Sequence, residues 1–379
     1  MASNKSSLKE KLISSSLSFT LFSVLVGLIT GAIALLIAGY NPLEAYGVIL
    51  RGIFSKPKYI AWTIIYATPL IMTGLSVTFA FRTGLFNIGA EGQFIIGALV
   101  ATLIGYFLNL PPVIHVIVVF LTAAIASGIW GGIAGYLKAK FGIHEVIATI
   151  MLNWIALYLN TYIVMLPGFK RPESESSYKI LDSASTMILK GWKESEAGIQ
   201  WLSNHPILKD IFKAPVNWGF LIAILLAALV WYILNKTTLG YELRSVGFNK
   251  YAAEYGGINV DKSMVTSMVI AGALAGIAGA VQVTGYTECV SKLAAMEGYG
   301  FDGIAVSLIG GNTAFGNIFA GLLFGALKYA GPNIQFALNA PAEMVDIVIG
   351  TIVFFIAIPK FVKMVFTTFA KERGEKNVK

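Results

Sequence analysis

Apolar runs of about twenty residues recur along almost the whole chain, separated by short polar segments. A bilayer's hydrocarbon core takes about 20 apolar residues per crossing helix. On that basis the pattern predicts about ten spans: 18–40, 60–81, 86–108, 112–136, 145–166, 217–235, 264–285, 301–312, 315–331 and 343–364. The eighth and ninth are short and glycine-rich, and read either as a re-entrant pair or as two tilted helices. The fold class this predicts is all-α, a polytopic membrane helix bundle.

Composition strengthens that reading. Apolar residues make up 56% of the chain and charged residues 13%, and mean hydropathy is +0.73. A soluble domain carries about 25% charged residues, so this chain has too little polar surface to cover itself in water. The net charge of +8 does not point to nucleic acid, because the bases gather between the apolar spans as topology markers do. The single cysteine, Cys289, excludes an internal disulfide and any multi-cysteine metal site. Phe19–Ala38 is too long for a signal-peptide core, lacks a cleavage pattern, and reads as a retained span.

Charge also sets orientation. With the N-terminus inside, the inner segments hold Lys5, Lys9, Lys11, Arg82, Lys138, Lys140, Lys236, Arg244, Lys250, Lys262 and six bases from Lys360 to Lys379. Short outer loops hold Arg51, Lys56, Lys58, Lys292 and, on one reading of the ninth span, Lys328. Both termini are therefore expected in the cytoplasm, with tails at 1–17 and 365–379 around a transmembrane domain at 18–364. The long segment 167–215 falls outside, with seven bases against six acids. Its Ile199, Trp201, Leu202, Ile207, Leu208, Ile211 and Phe212 predict an amphipathic element broken at Pro206, either lying on the membrane surface or docking a partner.

The stretch GLSVTFAFRTGLFNI from Gly74 echoes GIAVSLIGGNTAFGNI from Gly303. Repeated halves with a path between them are common in transporters, although glycine and alanine enrichment alone also produces such matches.

Several chemistries are excluded by pattern. No G-x-x-x-x-G-K-[ST] occurs, so the chain has no phosphate-binding loop of its own. His144-Glu145 begins like a zinc-protease motif, but position 148 is alanine; His115, His144 and His205 have no metal spacing. No nucleophile–base pattern suggests a hydrolase.

The remaining signal is polarity placed where lipid cannot satisfy it. Phe86, Asn87, Glu91 and Gln93 open the third span among glycines, and an intramembrane carboxylate is a functional-site hypothesis by default. The competing reading is a solvated helix cap. Asn153 and Asn160, seven residues apart, share a face with Glu145 and Thr149; such amides either bind a polar solute or hold helices together. Gln282, Thr284, Asp302, Ser307 and Asn312 are counterparts in the second half. Phe86, Trp154 and Phe301 are aromatics able to stack on a base or to fill a helix interface.

Between the sixth and seventh spans, the segment 236–263 includes Glu242, Arg244, Asn249, Tyr251, Ala252, Ala253, Glu254 and Gly257. It predicts a short helix that stops at Gly256-Gly257, with Ala252 and Ala253 leaving room for close packing.

At these residues a resemblance emerges. The runs TFAFRTGLFNIGAEGQFIIGAL, LKAKFGIHEVIATIMLNWIALYL, TTLGYELRSVGFNKYAAEYGGINV and EGYGFDGIAVSLIGGNTAFGNIFAGLLFGALKYAG resemble permeases of the branched-chain amino acid, ribose and nucleoside importers. The likeness is greatest to the nucleoside branch, which works with a lipoprotein of the basic membrane protein type. It covers roughly residues 60–360, in four runs in the same order. The resemblance implies a cell-membrane transport subunit that is not an enzyme and binds no cofactor. ATP and magnesium would sit on a separate ATPase. The other implied partners are a second permease (a paralogue or another copy), an extracellular binding lipoprotein and a small polar solute. It further implies that Ala252, Ala253, Glu254 and Gly257 lie in a coupling helix against the ATPase. Simple sugars or another small polar solute are the alternative substrates. An ion-coupled carrier and a non-transporting scaffold are the competing classes; neither needs a coupling helix.

Overall fold

The computed structural model describes residues 16–339 and, beyond them, 341, 346–348, 350, 351, 354 and 355. The expected tail 365–379, most of the tail 1–17 and much of the span 343–364 lie outside the described residues. Every regular element among the described residues is helical, and three isolated bridges are the only extended pairings there. Among the described residues six helices are long and apolar enough to cross a membrane, or seven if one bent pair is counted as a span, against the about ten spans expected from the hydropathy pattern. The chain divides into two units, residues 1–53 with 327–379 and residues 54–326.

In the first unit, α1 (Ser16–Ile37) is followed by α2 (Pro42–Phe54), and the axis turns by 119° between them. Asn41 accepts the backbone N–H of Leu43 at the turn, and proline at the first helical position needs no partner for a missing N–H. The Tyr46 hydroxyl donates to the Leu28 carbonyl at 2.6 Å, fastening the bend. Hydropathy alone predicts a single span from this region and no α2.

The second unit is a bundle. It comprises α3 (Pro57–Arg82), α4 (Ala90–Phe107), α5 (Pro112–Phe141), α6 (Glu145–Val164), α10 (Gly219–Lys236) and α13 (Val260–Gln282). One end carries the segment 167–215 with three short helices: α7 (Lys190–Glu194), α8 (Glu196–Ser203) and α9 (Pro206–Ile211). The break between α8 and α9 falls at Pro206, as the sequence predicts. The opposite end carries α11 (Thr238–Phe248) and α12 (Lys250–Tyr255). Where an eighth span is expected lies the shorter apolar helix α14 (Tyr299–Ile309), and α15 (Ala314–Ala330) and α16 (Pro332–Leu338) follow it.

Small residues let α13 sit at the centre. A Cβ at Gly97 of α4 would collide with the backbone of Gly276, so the two helices touch main chain to main chain. Lipid offers no hydrophobic drive between helices, and such close packing is what holds them. The second half of α3, from Ala67 to Ala80, is buried throughout. By contrast, α5 and α6 present Ile117, Leu121, Ile125, Ile147, Met151 and Tyr162 on exposed apolar faces suited to lipid.

The sequence echo has a structural counterpart. α3 and α14 run in the same direction, and Thr78 and Ser307, which occupy matching places in the two stretches, meet hydroxyl to hydroxyl at 2.7 Å. Each stretch then turns through a left-handed residue, Gly84 (φ +74°) or Gly311 (φ +63°), and enters a rising helix.

Candidate substrate path and coupling face

Between α3 and α4 the chain breaks at 83–89, and the polar residues of that break are spent on each other. The amides of Asn87 and Gln93 exchange hydrogen bonds at 2.9 and 3.1 Å, and Asn87 also donates to Ser76. Asn153 of α6 accepts the Gly92 N–H at 2.8 Å and donates to the Ile88 carbonyl at 3.0 Å. These bonds satisfy main-chain groups that the interrupted helix leaves open. Lys138 pairs with Glu145, whose carboxylate also receives the Phe86 N–H. Phe86 packs on Phe81 with centroids 5.1 Å apart.

Glu91 is completely buried. Its two carboxylate oxygens accept the backbone N–H groups of Gly298 and Gly300 at 2.7 and 2.6 Å, across more than two hundred residues of sequence. A carboxylate at a helix N-terminus meets both unsatisfied amides and the positive end of the macrodipole. Glu91 thus caps a helix, but that helix is α14 rather than its own. The start of α14 is fixed there: a Cβ at Gly300 would collide with the Glu91 backbone. Thr73 donates to the Tyr299 carbonyl at 2.9 Å. Thr73 is sixteen residues into α3, about 24 Å from its start at 1.5 Å per residue. Helix α14 therefore begins deep in the bundle and ends at Ile309; in the turn after it, the Asn312 carbonyl accepts two bonds from Arg82 at the far end of α3.

The segment 288–298 descends from the loop end to that start. Asn160 of α6 holds it by donating to the Ser291 carbonyl at 3.0 Å. Glu297, exposed, lies at its foot beside the half-exposed Tyr299 and Phe301. Above them, α13 ends in a π-helical turn, Val283–Thr287, a distortion often found where a side chain must be re-aimed for function. It directs Tyr286 against Trp62 of α3, with centroids 5.3 Å apart and rings at 88°. Gln282 donates to the Tyr299 hydroxyl at 3.1 Å.

The positions picked out by sequence thus separate. Asn87, Glu91, Gln93, Asn153 and Asn160 are buried and bonded within the protein. Asn312 takes a left-handed turn (φ +52°) and accepts the Ser307 hydroxyl, and Asp302 stands in the first turn of α14. Trp154 is 46% exposed, stacked on Tyr158 along the apolar outer face of α6. Gln282 and Phe301 flank the descending segment. Sequence reasoning missed Trp62, Tyr66, Tyr286, Glu297 and Tyr299. The i, i+4 spacing of Trp62 and Tyr66 was a legible sign of a shared face, whereas the aim of Tyr286 depends on the π-turn.

The loop 167–215 is laced onto that turn. The N–H groups of Ile180 and Thr186 donate to the Glu288 and Thr284 carbonyls, and Asn217 donates to the Gly285 carbonyl. Lys179 and Lys190 both reach the Glu288 carboxylate, at 2.6 and 2.5 Å, and Lys190 also pairs with Asp182. Partial burial pushes the Glu288 carboxyl up, but the two ammonium groups outweigh it and hold it below its ordinary range. The same pairing raises Lys190, against the burial that opposes its charge.

At the opposite end, Thr237 caps α11, and the Asn249 side chain accepts the N–H groups of Tyr251 and Ala252 to cap α12. The stop comes at Gly256-Gly257, where Gly257 has φ +84°. Phe248 (90% exposed), Tyr255 (97% exposed), Tyr251 and Ala252 form the outer face with Glu254, while Ala253 is buried at 5%. The two alanines therefore differ, since Ala253 packs into this chain and Ala252 is exposed. Glu242 and Arg244 lie on α11. Behind α12 is a cavity of about 890 Å³ bounded by Lys138, Glu254, Asp261 and Met264. The C-terminal end of α11 rests on the break between α3 and α4: a Cβ at Gly247 would collide with the Arg82 carbonyl. A continuous packed series thus joins α12 to α11, to the Asn87–Gln93 break, to Glu91 and to the start of α14.

The family model for the branched-chain amino acid transport system permease component matches residues 59–357. The guanosine ABC transporter permease protein NupP of Bacillus subtilis is 41% identical over 353 residues, 93% of this chain and 96% of that protein. The nucleoside ABC transporter permease protein NupB of Lactococcus lactis is 34% identical, covering 94% of this chain and 97% of its own length. The glucose ABC transporter permease protein TsgB13 of Haloferax volcanii is 30% identical over 90% of this chain and 87% of its own. No solved structure matches. With its apolar helices in a multi-pass arrangement and this likeness over nearly its whole length, the chain belongs to the family of branched-chain amino acid transport system permease components.

Proposed function

We propose that this chain is the membrane-spanning permease subunit of an ATP-binding-cassette importer for nucleosides. The observation that carries the substrate class is the near full-length likeness to permeases named for guanosine and for nucleosides, at 41% and 34% identity. The glucose permease, at 30%, keeps simple sugars as the second reading.

In this reading the α11–α12 end faces the cytoplasm, in keeping with its lysines and arginines, and both termini lie there with about ten spans in all. ATP and magnesium belong to a separate ATPase, since this chain carries no phosphate-binding loop. That ATPase meets the exposed face of Phe248, Tyr251, Ala252 and Tyr255, with Glu242, Arg244 and Glu254 at the rim. Its movement passes through the Gly247 contact to the 83–89 break, and through Glu91 to the start of α14. Packed interfaces pass on rigid-body motion in this way when they have two arrangements. At the outer end an extracellular binding lipoprotein delivers solute over the loop 167–215, whose bonds to the π-turn give it a hold on Tyr286. A second permease, a paralogue or another copy, covers the Glu297–Phe301 surface, because an exposed carboxylate beside a deep helix start needs water or a partner rather than lipid.

Proteoliposomes holding the complete complex test the substrate class. Uptake of labelled guanosine should be competed by other nucleosides and not by glucose; competition by glucose alone would replace the nucleoside reading with the sugar one.

A further inference from the structure

Four aromatic side chains from three separate elements line the descent toward the start of α14. Trp62 and Tyr66 lie one turn apart on α3, Tyr286 projects from the π-turn, and Tyr299 opens α14. Tyr286 meets Trp62 edge-on at 5.3 Å and Tyr66 at 6.1 Å and 49°, and Trp62 and Tyr66 are themselves 6.1 Å apart. Tyr299 stacks on Phe94 at 4.9 Å and 27°, and its hydroxyl accepts the Gln282 amide at 3.1 Å, one turn before Tyr286. None of the four is fully buried.

Tryptophan and tyrosine are common at membrane surfaces, where the ring sits at headgroup level. Depth argues against that role here. Counted along α3, Trp62 lies about 8 Å and Tyr66 about 14 Å from the helix start, and the Tyr299 level at Thr73 about 24 Å. The rings descend stepwise from the loop end to the foot of the segment 288–298. Beside them are groups that hydrocarbon would not tolerate, namely the Gln282 amide and the exposed Glu297 carboxylate. Edge-to-face contacts between rings are easily exchanged for contacts with another flat π-system of similar size. Tyrosine hydroxyls and one amide, all donors and acceptors, suit the edge of a base and the hydroxyls of a pentose.

We propose that Trp62, Tyr66, Tyr286 and Tyr299, with the Gln282 amide, form an aromatic constriction in the substrate path that holds the passing nucleoside by stacking on its base. This rests on the nucleoside reading above. In the present arrangement the rings pack on one another and close the way; a base entering between Trp62 and Tyr286 replaces one ring contact with another. Sugars have no aromatic face to offer, so the constriction favours nucleosides after the binding lipoprotein has made its own selection.

The test compares uridine with 5,6-dihydrouridine, whose base is not aromatic, in proteoliposomes containing the complete complex and the same lipoprotein throughout. The wild-type complex is expected to take up uridine in preference. Trp62→Leu and Tyr286→Leu should lower that preference by about tenfold, the scale of one base–aromatic stack, while Trp62→Phe and Tyr286→Phe keep it. Tyr66→Leu and Tyr66→Phe provide an independent pair should a Trp62 variant fail to assemble. Leucine variants that assemble and keep the wild-type preference overturn the constriction. Phenylalanine variants that lose as much as the leucine ones also overturn it, because the ring would then not be what matters. A wild-type complex that takes up glucose and neither nucleoside refutes the nucleoside reading first, and the constriction with it.

Discussion

Glu91 illustrates how much a single residue's role depends on its partners. In sequence it is an intramembrane carboxylate among glycines, open to a transport role or a capping role. The structure gives it two backbone N–H donors from Gly298 and Gly300, and a carboxylate satisfied in that way holds the α14 start. Glu91→Gln keeps the shape but presents only one acceptor oxygen and turns an N–H₂ toward the other amide. Leaving a buried N–H without an acceptor costs about 1–3 kcal/mol, so the variant should lose about that much stability. The check is the melting temperature of the purified permease. An unchanged melting temperature with uptake abolished would return Glu91 to a direct role in transport. Gly300→Ala should do more harm, because its Cβ meets the Glu91 main chain, and is expected to leave little assembled permease on size exclusion. Neither partnership was legible in sequence, since glycines 207 and 209 positions away leave no local trace. Trp154 shows the same limit from the other side, because residue type suggested a base-stacking role and only the fold places it on the apolar outer face of α6.

At the scale of elements, the long apolar runs were legible because one property, about twenty residues without charge, determines a crossing helix. The α12 stop at Gly256-Gly257 and the α8–α9 break at Pro206 were legible for the same kind of reason, as local backbone chemistry. The 119° turn between α1 and α2 and the π-turn at Val283–Thr287 were not, because each is held by bonds from outside its own window.

Ala252 and Ala253 have the same helix propensity and opposite exposure, which makes them a sharp pair. Ala252→Trp should leave the permease folded and block substrate-stimulated hydrolysis and uptake together, measured in proteoliposomes with the ATPase present. Ala253→Trp should instead reduce the yield of folded permease, since overpacking a buried site costs typically 1–3 kcal/mol. Uptake by assembled Ala252→Trp that stays coupled to hydrolysis would place the lever elsewhere.

The loop tie makes a further element-scale prediction. Glu288 is held below the ordinary carboxylate range by its two lysines, so its contribution is present above pH about 4.5 and is lost as pH falls through the lowered value. Lys190 is raised, so its share persists below pH about 10.5 and is lost as pH rises through the raised value. At neutral pH the tie is therefore complete, and Glu288→Gln should mimic acid. Limited trypsin digestion at pH 7.5 should then cut after Lys179 or Lys190 faster than in the wild type; equal rates would mean that the main-chain bonds suffice to hold the loop.

For the whole molecule, the bundle places the exposed α11–α12 face, the proposed lever, at one end and a loop laced to a π-turn at the other, with the buried Glu91 contact between them. The proposed orientation, with the α11–α12 end in the cytoplasm, rests on the lysine and arginine bias, and it is open to direct test. With Cys289 replaced by serine, a membrane-impermeant thiol reagent added to intact cells should label Ala197→Cys in the loop and spare Glu242→Cys on α11. The reverse pattern would invert the molecule and remove the coupling assignment with it.

The most direct measurement of the central claim is nucleoside uptake by proteoliposomes containing this chain with its ATPase, second permease and binding lipoprotein, with and without ATP and with ion gradients collapsed by ionophores. The account predicts uptake that requires ATP and the ATPase and persists when the gradients are gone. Uptake by the permease alone, driven by a proton or sodium gradient and indifferent to ATP, would contradict it.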